Sequence, residues 1–371
     1  MKQLCVFALL LLVCQGARTQ QLPHFTLEGR VRDDVTLNPI PNVNVYLSGT
    51  TRGTATDANG NFVLKNIPAG MYELVVSMVG YERRIYRIRL FEQPPEKFDA
   101  RLKETPIETA QIEVTAEDPR EWRETLERFT DILFGNTEFG LQCRILNPEV
   151  VDFNWNRETN RFEASAREPL IIENRALGYR LTFALQIFNE DGRILRYGGA
   201  THFLQLNSTD PDEMKLWEMN RSRAFHGSIR HFCIALIENN LEQSGFVISL
   251  MHQIPKTQTE RVVRQVVTRD DILRDGQFPF ERRMAFDHYL RVEFLGESPE
   301  YRFFDFWTRQ VGWREGVDSK HQTSWLQLDF LDIRMNLEGH LYDPFNMKTY
   351  GYWSYERLGE WLPMEYRPIE R

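Results

Sequence analysis

The sequence predicts a mainly β chain, with a small β-sandwich at its amino-terminal end and a larger antiparallel-β-rich α+β body carrying a few helices behind it. Three observations predict this. From Leu27 to Leu90, strand signals alternate with turn signals at the close spacing of a small sandwich. The chain carries 25 Phe, 13 Tyr and 8 Trp, most of them beyond residue 120, which favours strands with thick aromatic packing. Helical periodicity surfaces only in short stretches. With 371 residues there is room for two or three domains of about 100–200 residues each.

Residues 1–19 read as an export signal: Lys2 supplies the positive start, Val6 to Val13 is an apolar run too short to span a bilayer, and Gly16, Ala17 and Thr19 supply small residues near a cleavage point. A lipoprotein reading through Cys14 is disfavoured by Val13, which stands where a small residue is wanted. No later stretch is apolar for the length of a membrane span, so the mature chain is expected to be exported without one.

The sandwich follows. Val43, Val45 and Leu47 alternate with Asn42, Asn44 and Tyr46, the period-two pattern of a half-buried strand whose tyrosine faces outward. Thr56 to Asn61 supplies turn formers, with Gly60 tolerating positive φ. Phe62, Leu64 and Ile67 resume the strand, Pro68-Ala69-Gly70 makes a corner, and Tyr72, Leu74, Val76 and Met78 line one face of the next. Gly80-Tyr81 then turns into a strand with Ile85 and Ile88 among Arg83, Arg84, Arg87 and Arg89, which at strand spacing form a solvated or inter-domain face.

Gly29, Val31, Asp33, Pro39 to Val43, Val45, Thr56, Asp57, Gly60, Phe62, Ile67 to Gly70, Tyr72, Leu74 and Val79 to Tyr81 together resemble the carboxypeptidase regulatory-like domain. That resemblance implies a transthyretin-like seven-stranded sandwich over 24–104, and an accessory module more than a catalyst. Ile107 to Ala116, within a linker over 105–118, is similar to the segment joining this sandwich to the plug of TonB-dependent receptors in Bacteroidota, yet no plug or barrel follows. Ile145 to Val150, Pro169 to Tyr179, Tyr352 to Arg357 and Leu362 to Tyr366 resemble a family of exported Bacteroidota proteins with this domain at their amino terminus. The resemblance implies a periplasmic or outer-membrane address and no particular reaction.

The body over 119–371 opens with a helix that Asp118 can cap, Pro119 can start and Glu121 can box, with Trp122, Leu126, Phe129, Ile132 and Leu133 on one face until Gly135-Asn136 ends it. Antiparallel strands are expected next, with 150–155 and 161–166 flanking a polar turn, then 170–174, and 181–188 before a turn over 189–192. Asp210-Pro211 starts a second helical region in which Gly227-Ser228 divides two helices and Ile229, Phe232, Cys233, Leu236, Ile237 and Leu241 face a core. Beyond Phe246 strands dominate, with a hairpin from Trp325 to Leu341 around Asn336 to Gly339 and a short closing helix over Ser354 to Trp361.

The net charge of −8 argues against nucleic-acid binding. Arg221, Arg223, His226, Arg230 and His231 form a candidate anion-binding cluster, against the plainer reading of solvated helix faces. Outside the signal only Cys143 and Cys233 remain, either one disulfide or two buried thiols. None of the histidines has Glu three residues on and His-Glu-x-x-His is absent, so no local zinc spelling exists. Gly-x-Ser-x-Gly, Ser-x-x-Lys, phosphate-loop and dinucleotide fingerprints are absent too, and Asp57 to Gly60 lacks the closing carboxylate of a calcium loop. No cofactor is expected. These absences favour non-catalytic recognition or assembly with an envelope or outer-membrane protein or a glycan; the alternative is a secreted peptidase or glycosidase with its site in the body.

Overall fold

The computed structural model describes residues 23–91, 97–105, 119–192, 194–254, 263–311 and 320–369. The export signal, the strand-like linker from 106 to 118 and the capping Asp118 lie outside the described residues.

Seven strands build the sandwich: β1 (His24–Asp33), β2 (Asn44–Leu47), β3 (Gly53–Ala55), β4 (Asn61–Pro68), β5 (Gly70–Ser77), β6 (Arg84–Leu90) and β7 (Phe98–Leu102). One sheet runs β4-β1-β7, with β7 parallel to β1, and the other β3-β2-β5-β6. Inward positions of both sheets, among them Leu27, Val31, Val43, Val45, Leu64, Ile67, Leu74 and Val76, close one core. Asp57 accepts backbone bonds from Asn59 and Asn61, and Gly60 takes φ 74°, which makes the expected tight turn.

The body has two halves. The first is a sheet of β8 (Cys143–Ile145), β9 (Val151–Asn156), β10 (Arg161–Ala166), β11 (Leu170–Asn174), β12 (Tyr179–Glu190) and β13 (Leu195–Gln205), in the order β8-β11-β12-β10-β9 with β13 on the other side of β12. The amphipathic helix α1 (Pro119–Phe134) lays Phe129 and Leu133 onto it. After α2 (Pro211–Phe225) and α3 (Ile229–Glu238) comes the second half, β15-β14-β18-β19-β21 and a smaller sheet β16-β17-β20. These strands are β14 (Phe246–Met251), β15 (Arg264–Val266), β16 (Leu273–Asp275), β17 (Glu281–Met284), β18 (Tyr289–Phe294), β19 (Gln322–Leu328), β20 (Ile333–Asn336) and β21 (Met347–Gly351). Helices α4 (Arg269–Ile272), α5 (Tyr301–Val311) and α6 (Tyr352–Tyr355) complete the chain.

Several expectations are corrected. β12 continues through Glu190, because Asn189 and Glu190 still pair with β10 and β13. The tight turn at Asn336–Gly339 exists, with Gly339 N donating to Asn336 O, but β19 and β20 belong to different sheets, so Trp325 to Leu341 is no single hairpin. The closing helix is only α6, followed by a turn at Leu358–Glu360.

Sandwich and body are joined by more than a linker. The outer face of β2 and β5 is covered by the β12–β13 hairpin: Tyr46 and Val75 are buried against Ala184 and Ala200. The tyrosine read as outward-facing therefore lies inside, stacked on His202 with ring centres 4.9 Å apart. Gly49 N donates to Thr201 O and Phe203 N to Thr50 O, which adds the loop after β2 to the edge of β13. From the body, Phe280 is fully buried in the sandwich core beside Phe91, and Arg89 lies over the Phe278 ring.

Candidate functional site

The strongest convergence of titratable groups is a polar pit between the two halves of the body. Glu297, Glu300, Glu356 and Glu360 line it with Thr137, Phe139, Arg223, Gln322 and Tyr352. Each arrives by a definable route. Glu297 and Glu300 sit just ahead of α5, and Glu356 and Glu360 flank the turn after α6. That turn nests against the loop after α1 because both contacting residues are glycines: a Cβ on Gly359 would come 2.5 Å from Gly140 Cα. Asn174 Nδ2 donates to Gly359 O at 2.8 Å, and Tyr355 Oη donates to Asn136 O at 2.9 Å, which fixes the turn.

Burial sets the electrostatics. It pushes the Glu360 carboxyl up to about 8, with Glu300 and Glu297 adding to the shift against a hydrogen bond from Thr137. Glu356 rises well above the ordinary carboxylate range from burial, then from repulsion by Glu360, Glu297 and Glu300. Burial also raises Glu297 and Glu300, although Arg223 lies near both and Tyr355 Oη is 3.1 Å from Glu300 Oε2. Glu360 Oε1 is buried with no hydrogen-bond partner. Four acid groups face one guanidinium, so the pit holds protons at neutral pH.

Its size limits what it can do. The pit has a volume of about 20 Å³, room for roughly one water and not for a sugar ring or a peptide. No histidine lines it. A wider, open depression of about 300 Å³ lies over Leu141, Gln142, Cys143, Arg144, Glu173 and Arg175. Among the described residues, no group of three or more His, Cys, Asp or Glu is placed to hold a metal ion.

The predicted anion cluster is not assembled. Arg221 is buried, donates to Leu177 O and Gly178 O, and stacks over Tyr179. Arg223 pairs with Glu138 at 3.1 Å and Glu297 at 3.9 Å. Arg230 donates to the carbonyls of Glu338, Pro363 and Tyr366. His226 Nδ1 lies 2.7 Å from Ser222 O, and His231, pushed down to about 4 by burial, accepts from Gly227 N. The donors are directed to carbonyls and carboxylates, so these residues pin α2 and α3 to their surroundings and do not converge on an anion.

Cys143 and Cys233 are free thiols, the first half-buried on β8 and the second fully buried on α3. Burial pushes Cys233 up to about 12, which leaves it an inert packing group. The disulfide reading is thereby corrected. Nothing local points to the pit beyond the three- and four-residue spacings of its glutamate pairs, which many of the 53 acidic residues share.

Residues 27–114 match the family model of the CarboxypepD_reg-like domain. No curated protein matches. Among solved structures, a type II cohesin–X-dockerin complex from Acetivibrio cellulolyticus is similar at 27% identity over 21% of this chain and 51% of that chain, with a TM-score of 0.17. The chain thus spans about half the length of that structure. A streptococcal ancillary pilin is similar at 13% identity over 23% of this chain and 30% of that chain, TM-score 0.20. A DUF3823 family protein from Bacteroides ovatus is similar at 12% identity over 50% of this chain and 83% of that chain, TM-score 0.18.

Proposed function

We propose that this chain is an exported, envelope-associated protein that recognises or assembles with a protein partner and does not turn over a substrate. The observation that carries the reading is β6. Among the described residues it pairs on one side only, with β5, and so presents an edge without a second strand, its Arg84 to Ile88 stretch lying clear of the Phe278 ring that Arg89 covers. The body holds that edge rigidly by covering the outer face of the same sheet. A partner strand adding to β6 would meet a preorganised surface at little ordering cost.

Two further features support binding over hydrolysis. The converging carboxylates leave space for about one water. The aromatic groups of the body, Phe303, Trp307, Trp325, Tyr352 and Tyr355 in one half and Phe129, Phe162, Phe183 and Phe203 in the other, are packed inside as core, so a protein partner is favoured over a glycan. Export and the envelope address rest on the amino-terminal charge and apolar run and on the family resemblance.

The test is a photo-crosslinking side chain placed in cells at Arg87 on β6, with Glu213 on α2 as the control position. One partner trapped from Arg87 at near-equal amount, and not from Glu213, is the expected result. Hydrolysis of a peptide or glycoside by the purified chain, lost in Glu356→Gln or Glu360→Gln, would replace this reading with the hydrolase.

A further inference from the structure

A second group of ligand-capable side chains lies away from the pit, at one end of the β14–β18 ladder. That ladder closes on the pair Met251↔Tyr289. One more step along each strand sets His252 opposite His288, where cross-strand side chains stand about 4.5–5.5 Å apart at Cβ. Their rings are 4.5 Å apart between centres, inclined at 60°, and both residues are exposed. His288 has φ 61°, the left-handed region that non-glycine residues seldom occupy. The turn therefore holds this imidazole beside its partner in an uncommon backbone state.

We propose that His252 and His288 form a two-imidazole site for a borderline divalent transition-metal ion of the Zn²⁺, Ni²⁺ or Cu²⁺ class. The spacing fits the chemistry. Metal–nitrogen bonds of about 2.0–2.1 Å, with each ring centre about 1.1 Å behind its nitrogen, set the centres of two rings on one ion about 4.5–5.2 Å apart for angles near 90–110°. Imidazole nitrogen suits this class and not calcium or magnesium, and copper should bind most tightly of the three. Both histidines are exposed, so the other coordination positions would be open to water or to a further donor such as a partner chain. The two histidines are 36 residues apart in sequence and meet only through strand register, so no local zinc spelling could reveal them.

The test is calorimetric titration of the untagged full chain with Zn²⁺ and with Ni²⁺, followed by imidazole ¹⁵N shifts. The variants are His252→Gln and His288→Asn, asparagine being chosen because it tolerates the left-handed backbone, with His226→Gln as control. One equivalent should bind, and the ¹⁵N signals of both rings should move together. Loss of outer-sphere partners alone typically weakens metal sites about 10–100-fold, so either ligand substitution should weaken binding by roughly tenfold or more, and the control should not. Equal binding by the double variant, shifts confined to other histidines, or no binding to the parent chain would each overturn the proposal and leave an edge-to-face imidazole pair.

Discussion

Glu360 keeps its proton up to about 8 in the fold but releases it near 4.5 when the chain unfolds. Over that window the unfolded state binds fewer protons, so the contribution is full below about 4.5 and stability falls as pH rises toward 8. Glu360→Gln should remove this slope, gaining roughly 1–3 kcal/mol at pH 8 and almost nothing at pH 4.5. Thermal melts of both proteins at the two pH values check it, and an equal difference at both would show that the pit does not store the proton. His231 and His340 oppose it on the acid side. Burial lowers both to about 4, against 6.5 unfolded, so their contribution is lost as pH falls from about 6.5 to 4. Arg221 shows how residue types mislead when read singly. An arginine cluster in sequence suggests an anion, yet Arg221 is a packing residue whose donors cap the Leu177 and Gly178 carbonyls. Arg221→Met would leave the buried Leu177 carbonyl without its donor, Gly178 O keeping the Leu206 N–H, and should cost about 1–3 kcal/mol in denaturant titration.

At the scale of elements, periodicity carried the reading as far as each strand had one buried face. β4 buries Phe62, Leu64 and Ile67, the three residues read as its inward face, and was legible. β5 was half legible, because Leu74 and Val76 face the sandwich core while Val75 faces the body, and a strand buried on both sides loses its alternation. The α2–α3 division was legible because Gly227 takes φ 80° and Ser228 caps His231 N. The pairing of β20 with β17, and not with β19, was not, since register between distant strands leaves no local mark. The same limit hid the pit, whose acids come from two segments about 60 residues apart in sequence. Close approach makes a sharper prediction at Gly178, which has φ 66° and lies where a Cβ would sit 2.3 Å from Trp217 Cδ2. Gly178→Ala should therefore push α2 off β12 and destabilise by at least about 2 kcal/mol, from strain and overpacking together. Loss of the Trp217 fluorescence environment at unchanged far-ultraviolet circular dichroism would report that displacement; an unaltered spectrum and midpoint would refute it.

For the whole molecule, the sequence divides at a linker but the packing does not. The sandwich core contains Phe280, a residue of the body, and the outer face of its β2–β5 sheet is buried under β12 and β13. Glu365, near the carboxyl terminus, accepts from Thr51 N at 2.7 Å and pairs with Arg52 at 3.6 Å, while Met364 N donates to Gly49 O. Chain segments more than 300 residues apart thus close the same interface. A module that borrows its core residue and its outer cover from a neighbour cannot unfold without exposing both. The full chain should accordingly show one calorimetric transition in which sandwich and body melt together, with calorimetric and van't Hoff enthalpies in agreement. Phe280→Ala, conservative for the body's own sheets, should cost about 3–5 kcal/mol and lower that single transition without splitting it. A fragment of residues 23–105 would expose Tyr46, Val75 and the gap left by Phe280, and should melt well below the full chain or aggregate through the uncovered sheet face. Two resolved transitions, with the lower or upper one matching the isolated fragment, would instead make the sandwich an autonomous domain, and the rigid presentation of β6 on which the recognition reading depends would go with it.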